Sequence, residues 1–160
     1  MLVGGGSLRR GLAKTMTPSM GKQRSRFVTM RERLRRWVDQ HQGEVVLRRD
    51  LRRLGSASQV SRGLRQLVDD GKLVRIGLGV YAKATPSRLS GQPAPRQTLE
   101  VLAAETLDRL GIAWQQSKAQ WLYNAGLTTQ VPWRITFNTS PRRISRRLQV
   151  GKGVVEYERG

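Results

Sequence analysis

Residues 44–84, EVVLRRDLRRLGSASQVSRGLRQLVDDGKLVRIGLGVYAKA, change hydrophobic period twice in a short span, and few arrangements tolerate that. An apolar run, Val45-Val46-Leu47, leads into a short helical stretch carrying Asp50, Leu51 and Leu54. Gly55 stops it, because glycine takes the left-handed conformation that ends helices at little cost. Ser56 then stands as a helix cap, and Gln59 three residues on completes a capping box. Ala57, Val60, Leu64, Leu67 and Val68 follow at helical spacing and form one apolar stripe. Ser58, Gln59, Ser61, Arg62, Arg65 and Gln66 are left facing outward. After Gly71 the spacing predicts two short strands, Lys72–Ile76 and Gly79–Lys83, around a Gly77-Leu78-Gly79 turn. Two helices followed by a β-hairpin are the layout of a winged helix-turn-helix. Its second helix carries the side chains that a major-groove reader uses: Gln and Arg for bidentate pairs with base edges, Ser for close approach.

The charge agrees with that reading. Thirty Lys and Arg against 11 Asp and Glu leave a net charge of +19 on 160 residues. Such a field concentrates polyanions and releases their counterions on contact, so nucleic acid is the leading partner, and with the winged unit that means double-stranded DNA. No apolar run approaches the roughly 18 residues of a membrane-spanning helix, and no membrane partner is expected. There is no cysteine, so disulfide and thiolate chemistry are excluded, and His41 is the single histidine. No catalytic residue, cofactor or metal site is expected, and the chain is read as non-enzymatic.

Around this unit the chain divides as follows. Residues 1–29 hold glycines, serines and six Lys or Arg, with no acid, and read as a disordered basic arm. A transit peptide and an over-extended start, with Met16, Met20 or Met30 as the true one, are the alternatives. Residues 30–84 form the DNA-binding domain. It opens with a helix over 30–42 whose stripe is Met30, Leu34, Trp37, Val38 and His41. Residues 85–96, rich in Pro, Ser and Gly, read as a linker or a wrapping loop. Residues 97–160 form a small α+β module. A helix over 97–110 carries Leu99, Leu102, Ala103, Thr106, Leu107 and Leu110 on one face. A short helix around 119–125 follows, capped near Ser117. Trp133, Ile135 and Phe137 alternate with polar residues as a half-buried strand. Ile144, Leu148 and Val150 share a parity in the next, and Gly151-Lys152-Gly153 turns into a third, Val154–Glu158. The expected class is α+β: the winged unit, then two helices on a three-stranded antiparallel sheet.

Base contacts are expected from Ser58, Gln59, Arg62 and Arg65, the N-terminal outward half of the second helix. Arg48, Arg75 and Lys83 are placed against the DNA backbone. Arg142, Arg143, Arg146 and Arg147 are either a second phosphate patch or charges that protect an edge strand from self-pairing. RNA recognition favours exposed stacking aromatics. Trp37, Trp133 and Phe137 sit on apolar stripes, which makes RNA binding the weakest reading, behind DNA binding and docking on a protein partner.

The order RDL, LGS, GKL, RIG and GVYAK, then a helix ending RLG, then NAGLTTQVP, a strand and a Ser-Pro-Arg-Arg-Ile turn, resembles the AbiEi-type antitoxin and regulator family of bacterial type IV toxin–antitoxin systems. The resemblance spans residues 30–158. It implies a winged helix bound to operator repeats, autorepression, and antagonism of a nucleotidyltransferase-like toxin without a stable complex. It also implies a cytoplasmic, nucleoid-associated protein. Leu78 stands at the wing tip, where that family often carries a basic residue. A winged fold that docks on a protein partner is the rival expectation.

Overall fold

The structure, a computed structural model, describes residues 28–139 and 144–158. It is an α+β arrangement with two small sheets. Helix α1, Met30–Gln40, starts from a capping box in which the Thr29 hydroxyl accepts from Glu32 N and Glu32 accepts from Thr29 N. It buries Leu34 and Val38 and leaves Arg31, Arg33, Arg35 and Arg36 exposed. Strand β1, Val45–Leu47, leads into a 3-10 helix, Arg48–Leu54, where the expected helix has the tighter winding. Helix α2, Ala57–Asp69, begins at the expected cap: Gln59 N donates to Ser56 Oγ at 3.3 Å, and Ser56 N donates to Gln59 Oε1 at 2.9 Å.

Strands β2, Leu73–Gly77, and β3, Val80–Pro86, form the hairpin, and β1 pairs with the other side of β3. A fourth strand, β4, Pro93–Pro95, lies in the stretch expected as a linker or wrapping loop and pairs with the end of β3. Its two prolines have no N–H to offer, which suits an edge position.

The first sheet is covered on both faces. Val46 joins Leu34, Val38, Leu51, Val60, Leu64, Leu67 and Leu73 in a core under α1 and α2. Val45 and Leu47 point the other way, into a second core with Ile76, Val80 and Ala82. That explains why β1 is three apolar residues in a row rather than alternating. The second core is completed by helix α3, Leu99–Leu110, through Leu99, Leu102, Ala103 and Leu107, and by Phe137, Leu148 and Val155. Both halves of the chain therefore contribute to this second core.

Helix α4, Lys118–Asn124, is capped by Ser117 as expected. The sheet beside it differs from expectation. It has four strands: β5, Gln115–Gln116; β6, Ile135–Asn138; β7, Gln149–Val150; and β8, Gly153–Glu158, in the order β5-β6-β8-β7. Its central pair, β6 and β8, is parallel, with Ile135 opposite Val155 and Phe137 opposite Tyr157. Period two marks a strand as half-buried but carries no information on which neighbour it takes or in which direction. The β7–β8 hairpin brings β8, not β7, beside β6, and two consecutive glutamines give β5 no alternation to detect. Residues 144–148 do not form a strand. Leu148 is fully buried and makes an isolated antiparallel bridge to Gly77. A Cβ on Gly77 would lie 2.8 Å from Leu148 Cδ2 and 2.9 Å from Arg147 O, so glycine is what lets this segment approach the hairpin.

Trp133 is also placed differently. It is 82% exposed, because β6 begins only at Ile135. The Arg134 guanidinium lies 4.1 Å from the Trp133 ring centroid and is itself held by Glu156 at 2.6 Å. The ring therefore packs on a charged side chain rather than in a core, and Trp133 no longer weighs against RNA as its place on an apolar stripe did.

Candidate nucleic-acid interface

The stripe of α2 that enters the core decides which residues remain on its outer side. Ser58, Gln59, Arg62 and Arg65 are all exposed. Neither Arg62 nor Arg65 has a carboxylate partner among the described residues, so their guanidinium forks are open to an anion or a base edge. Gln59 is partly committed, since its Oε1 is the acceptor for Ser56 N. Ser58 Oγ lies 3.1 Å from Ser56 Oγ.

The basic residues expected on phosphates fall into distinct environments. Arg48 Nη2 donates to Ser61 Oγ at 2.8 Å and to Ala57 O at 3.2 Å, so it braces the first turn of α2. Arg75 is exposed on β2 and its Nε donates to Gly77 O at 3.3 Å. Arg146 Nη1 donates to Leu78 O at 2.6 Å, which brings the second half of the chain onto the hairpin turn. Arg146 and exposed Arg147 precede β7, so neither lies on a strand edge. Arg142 and Arg143 lie outside the described residues, as does nearly all of the expected basic arm.

Lys83 stands apart. It is only 8% exposed, and its ammonium donates to His41 O at 2.5 Å at the end of α1. A phosphate would have to draw it out of that contact, so Lys83 serves the packing of α1 on β3 rather than an outer surface.

A polar cluster joining the two halves had no signal in the sequence beyond an acid and a base four residues apart on α3. Glu105 accepts from Val45 N at 3.0 Å and from Glu44 N at 3.2 Å, so it holds the start of β1. Arg109 donates to Asp50 Oδ2 at 2.6 Å and to Val45 O at 2.5 Å. The same guanidinium stands 2.5 Å from His41 Nε2, which is also 3.0 Å from Val45 O. Arg109, the nearer partner, cannot give up its proton, so in that contact Nε2 is the acceptor.

Burial, and then the charge of Arg109, hold the His41 imidazole below its ordinary value of 6.5, against a smaller raising effect of Val45 O. A histidine lowered in the folded state binds its proton more readily unfolded. Its contribution to stability is therefore complete above 6.5 and lost as pH falls through the folded value. The melting temperature is expected to drop as pH falls below 6.5. His41→Gln should lack that drop. Parallel wild-type and variant melting curves across this window would show that the ring is not the titrating group.

Among the described residues no group of three or more His, Asp or Glu side chains is placed to hold a metal ion, and no helix is long and apolar enough to cross a membrane. No curated protein and no solved structure matches the chain. A family of unknown function matches residues 32–160. That span takes in every described element except the first two residues of α1, and the chain belongs to this family, DUF6088.

Proposed function

We propose that residues 30–84 are a winged helix-turn-helix and that the chain is a non-enzymatic, sequence-specific DNA-binding regulator. In this reading the 3-10 helix and α2 are the helix-turn-helix, α2 is the recognition helix, and the β2–β3 hairpin is the wing. The observation that carries it is the outer side of α2. Two arginines without a carboxylate partner among the described residues sit there with Ser58 and Gln59, on a helix with a rigid cap, in a chain of net charge +19. Rigid placement matters because a bidentate pair with a base tolerates little angular error. The resemblance to the AbiEi-type family extends the proposal to an autorepressor and antitoxin that acts in the cytoplasm on the nucleoid. Its operator repeats would lie upstream of its own gene, and a nucleotidyltransferase-like toxin would be its functional counterpart.

A competition assay on that upstream region, with random duplex as competitor, tests the reading. Arg62→Ala is expected to cost about 1–3 kcal/mol against the operator and to change random-duplex binding little. Gln59→Ala should act likewise and also lower the melting temperature, because it removes half of the α2 capping box. Retention of the full operator-to-random ratio by both variants would remove α2 as the reader.

One observation favours a second reading, docking on a protein partner. Trp121, Leu127, Val131 and Trp133 are all more than half exposed on and after α4. Exposed large apolar side chains that form a contiguous patch commonly mark an interaction site. Full retention of sequence discrimination by the α2 variants would bring this reading forward.

A further inference from the structure

The 3-10 helix, the first turn of α2, the β2–β3 turn and the end of α3 enclose a cleft of about 560 Å³. Among the described residues, Arg48, Arg49, Arg52 and Arg146 line it and no Asp or Glu does. One carboxylate is shared: Asp50 pairs with Arg109 at 2.6 Å and with Arg49 at 3.9 Å, so a single Asp serves two arginines and the cleft keeps an excess of positive charge. Arg48 and Arg146 reach only neutral acceptors, Ala57 O and Ser61 Oγ for one and Leu78 O for the other. Arg52 has neither an ion pair nor a hydrogen bond among the described residues. Guanidinium groups stay charged at any relevant pH, so this concentration of like charge persists until an anion enters. The rest of the lining is apolar, with Leu47 and Val60 buried at its floor and Leu110 contributed by α3.

We propose that this cleft binds a small organic anion, with a phosphate or carboxylate head on the arginines and an apolar body against Leu47, Val60 and Leu110. Its volume falls within the roughly 300–1,000 Å³ of small-molecule sites, which pair an apolar lining with a few oriented polar groups. Arginine suits either head, since its planar fork matches both oxyanions. A DNA phosphate would use the arginines but has no need of an apolar floor, and that floor favours a small ligand. The site goes beyond the DNA-binding reading and does not depend on it. Its walls come from both halves of the chain, so an occupant would tie Arg146 and α3 to the start of α2.

Calorimetric titration of the full chain at fixed ionic strength, without DNA, tests this with four probes: phenyl phosphate, phenylacetate, inorganic phosphate and benzyl alcohol. Phenyl phosphate or phenylacetate is expected to bind saturably at one site, at least about tenfold tighter than the head alone or the body alone. The tighter of the two identifies the head. Arg52→Gln should weaken it at least about tenfold with an unchanged melting temperature, since Arg52 makes no hydrogen bond or ion pair among the described residues. Arg36→Gln, exposed on α1 and outside the cleft, should leave it unchanged. Equal affinity for inorganic phosphate and phenyl phosphate would overturn the proposal, as would equal loss in both variants or no saturation. A fall in duplex affinity on Arg52→Gln without small-anion binding would also overturn it and assign the cleft to the DNA backbone.

Discussion

Affinity for duplex DNA is expected to fall about 10³–10⁵-fold between roughly 50 and 200 mM salt. The magnitude follows from the number of phosphates that the chain can neutralise. Each contact releases condensed counterions, and about 6–10 contacts produce a loss of that size. Thirty basic residues against 11 acidic ones supply more than enough cations, and the described ion pairs engage only a minority of them. Arg62, Arg65 and Arg75 are exposed and lack a carboxylate partner among the described residues, so they can meet a phosphate without breaking an ion pair. The measurement is a plot of log K against log salt concentration for a random duplex. A nearly flat line would rule out polyanion binding as the meaning of the charge, whatever α2 reads.

Leu64→Ala is expected to destabilise the fold by about 2–5 kcal/mol, in the upper part of that range. Leu64 is fully buried between α1, α2 and the first sheet, in the core with Leu34, Leu51 and Leu67. Truncation removes its burial and leaves a cavity, and the cost depends on how far the surroundings can close on it. They can close little here. The two helices already meet at Gly63, where an added Cβ would lie 2.3 Å from Leu34 Cδ1. Backbone is therefore against side chain beside the site, and α1 has no room to move inward. Denaturant unfolding of wild type and variant measures the difference. A change below about 0.5 kcal/mol would place Leu64 outside the core and undo the assignment of the outer side of α2.

Both expectations rest on features readable along the chain. The Ser56–Gln59 cap, the stripe from Val60 to Leu67 and the hairpin after Gly71 each depend on residues within a few positions of one another. Short-range geometry acts there whatever the rest of the fold does. The outward positions Ser58, Gln59, Arg62 and Arg65 follow from the same stripe, because a helix that buries one side must expose the other. The cap at Ser117 and the turn at Gly151 are local in the same way.

Tertiary structure alone decided the rest, and in each case the partner lies far along the chain. Glu105 and Arg109 hold β1 and Asp50 from about 60 positions away, and nothing in their own helix marks them for it. Lys83 is buried because the end of α1, 42 positions earlier, presents a carbonyl to it. Gly63 looks like a weak point in a helix until Leu34 is seen filling the space where its side chain would be. The parallel pairing of β6 with β8, the exposure of Trp133 and the arginine-lined cleft share that cause. Hydrophobic period tells which side of an element is buried, whereas strand neighbours, edges and clefts are set by which distant segment does the burying.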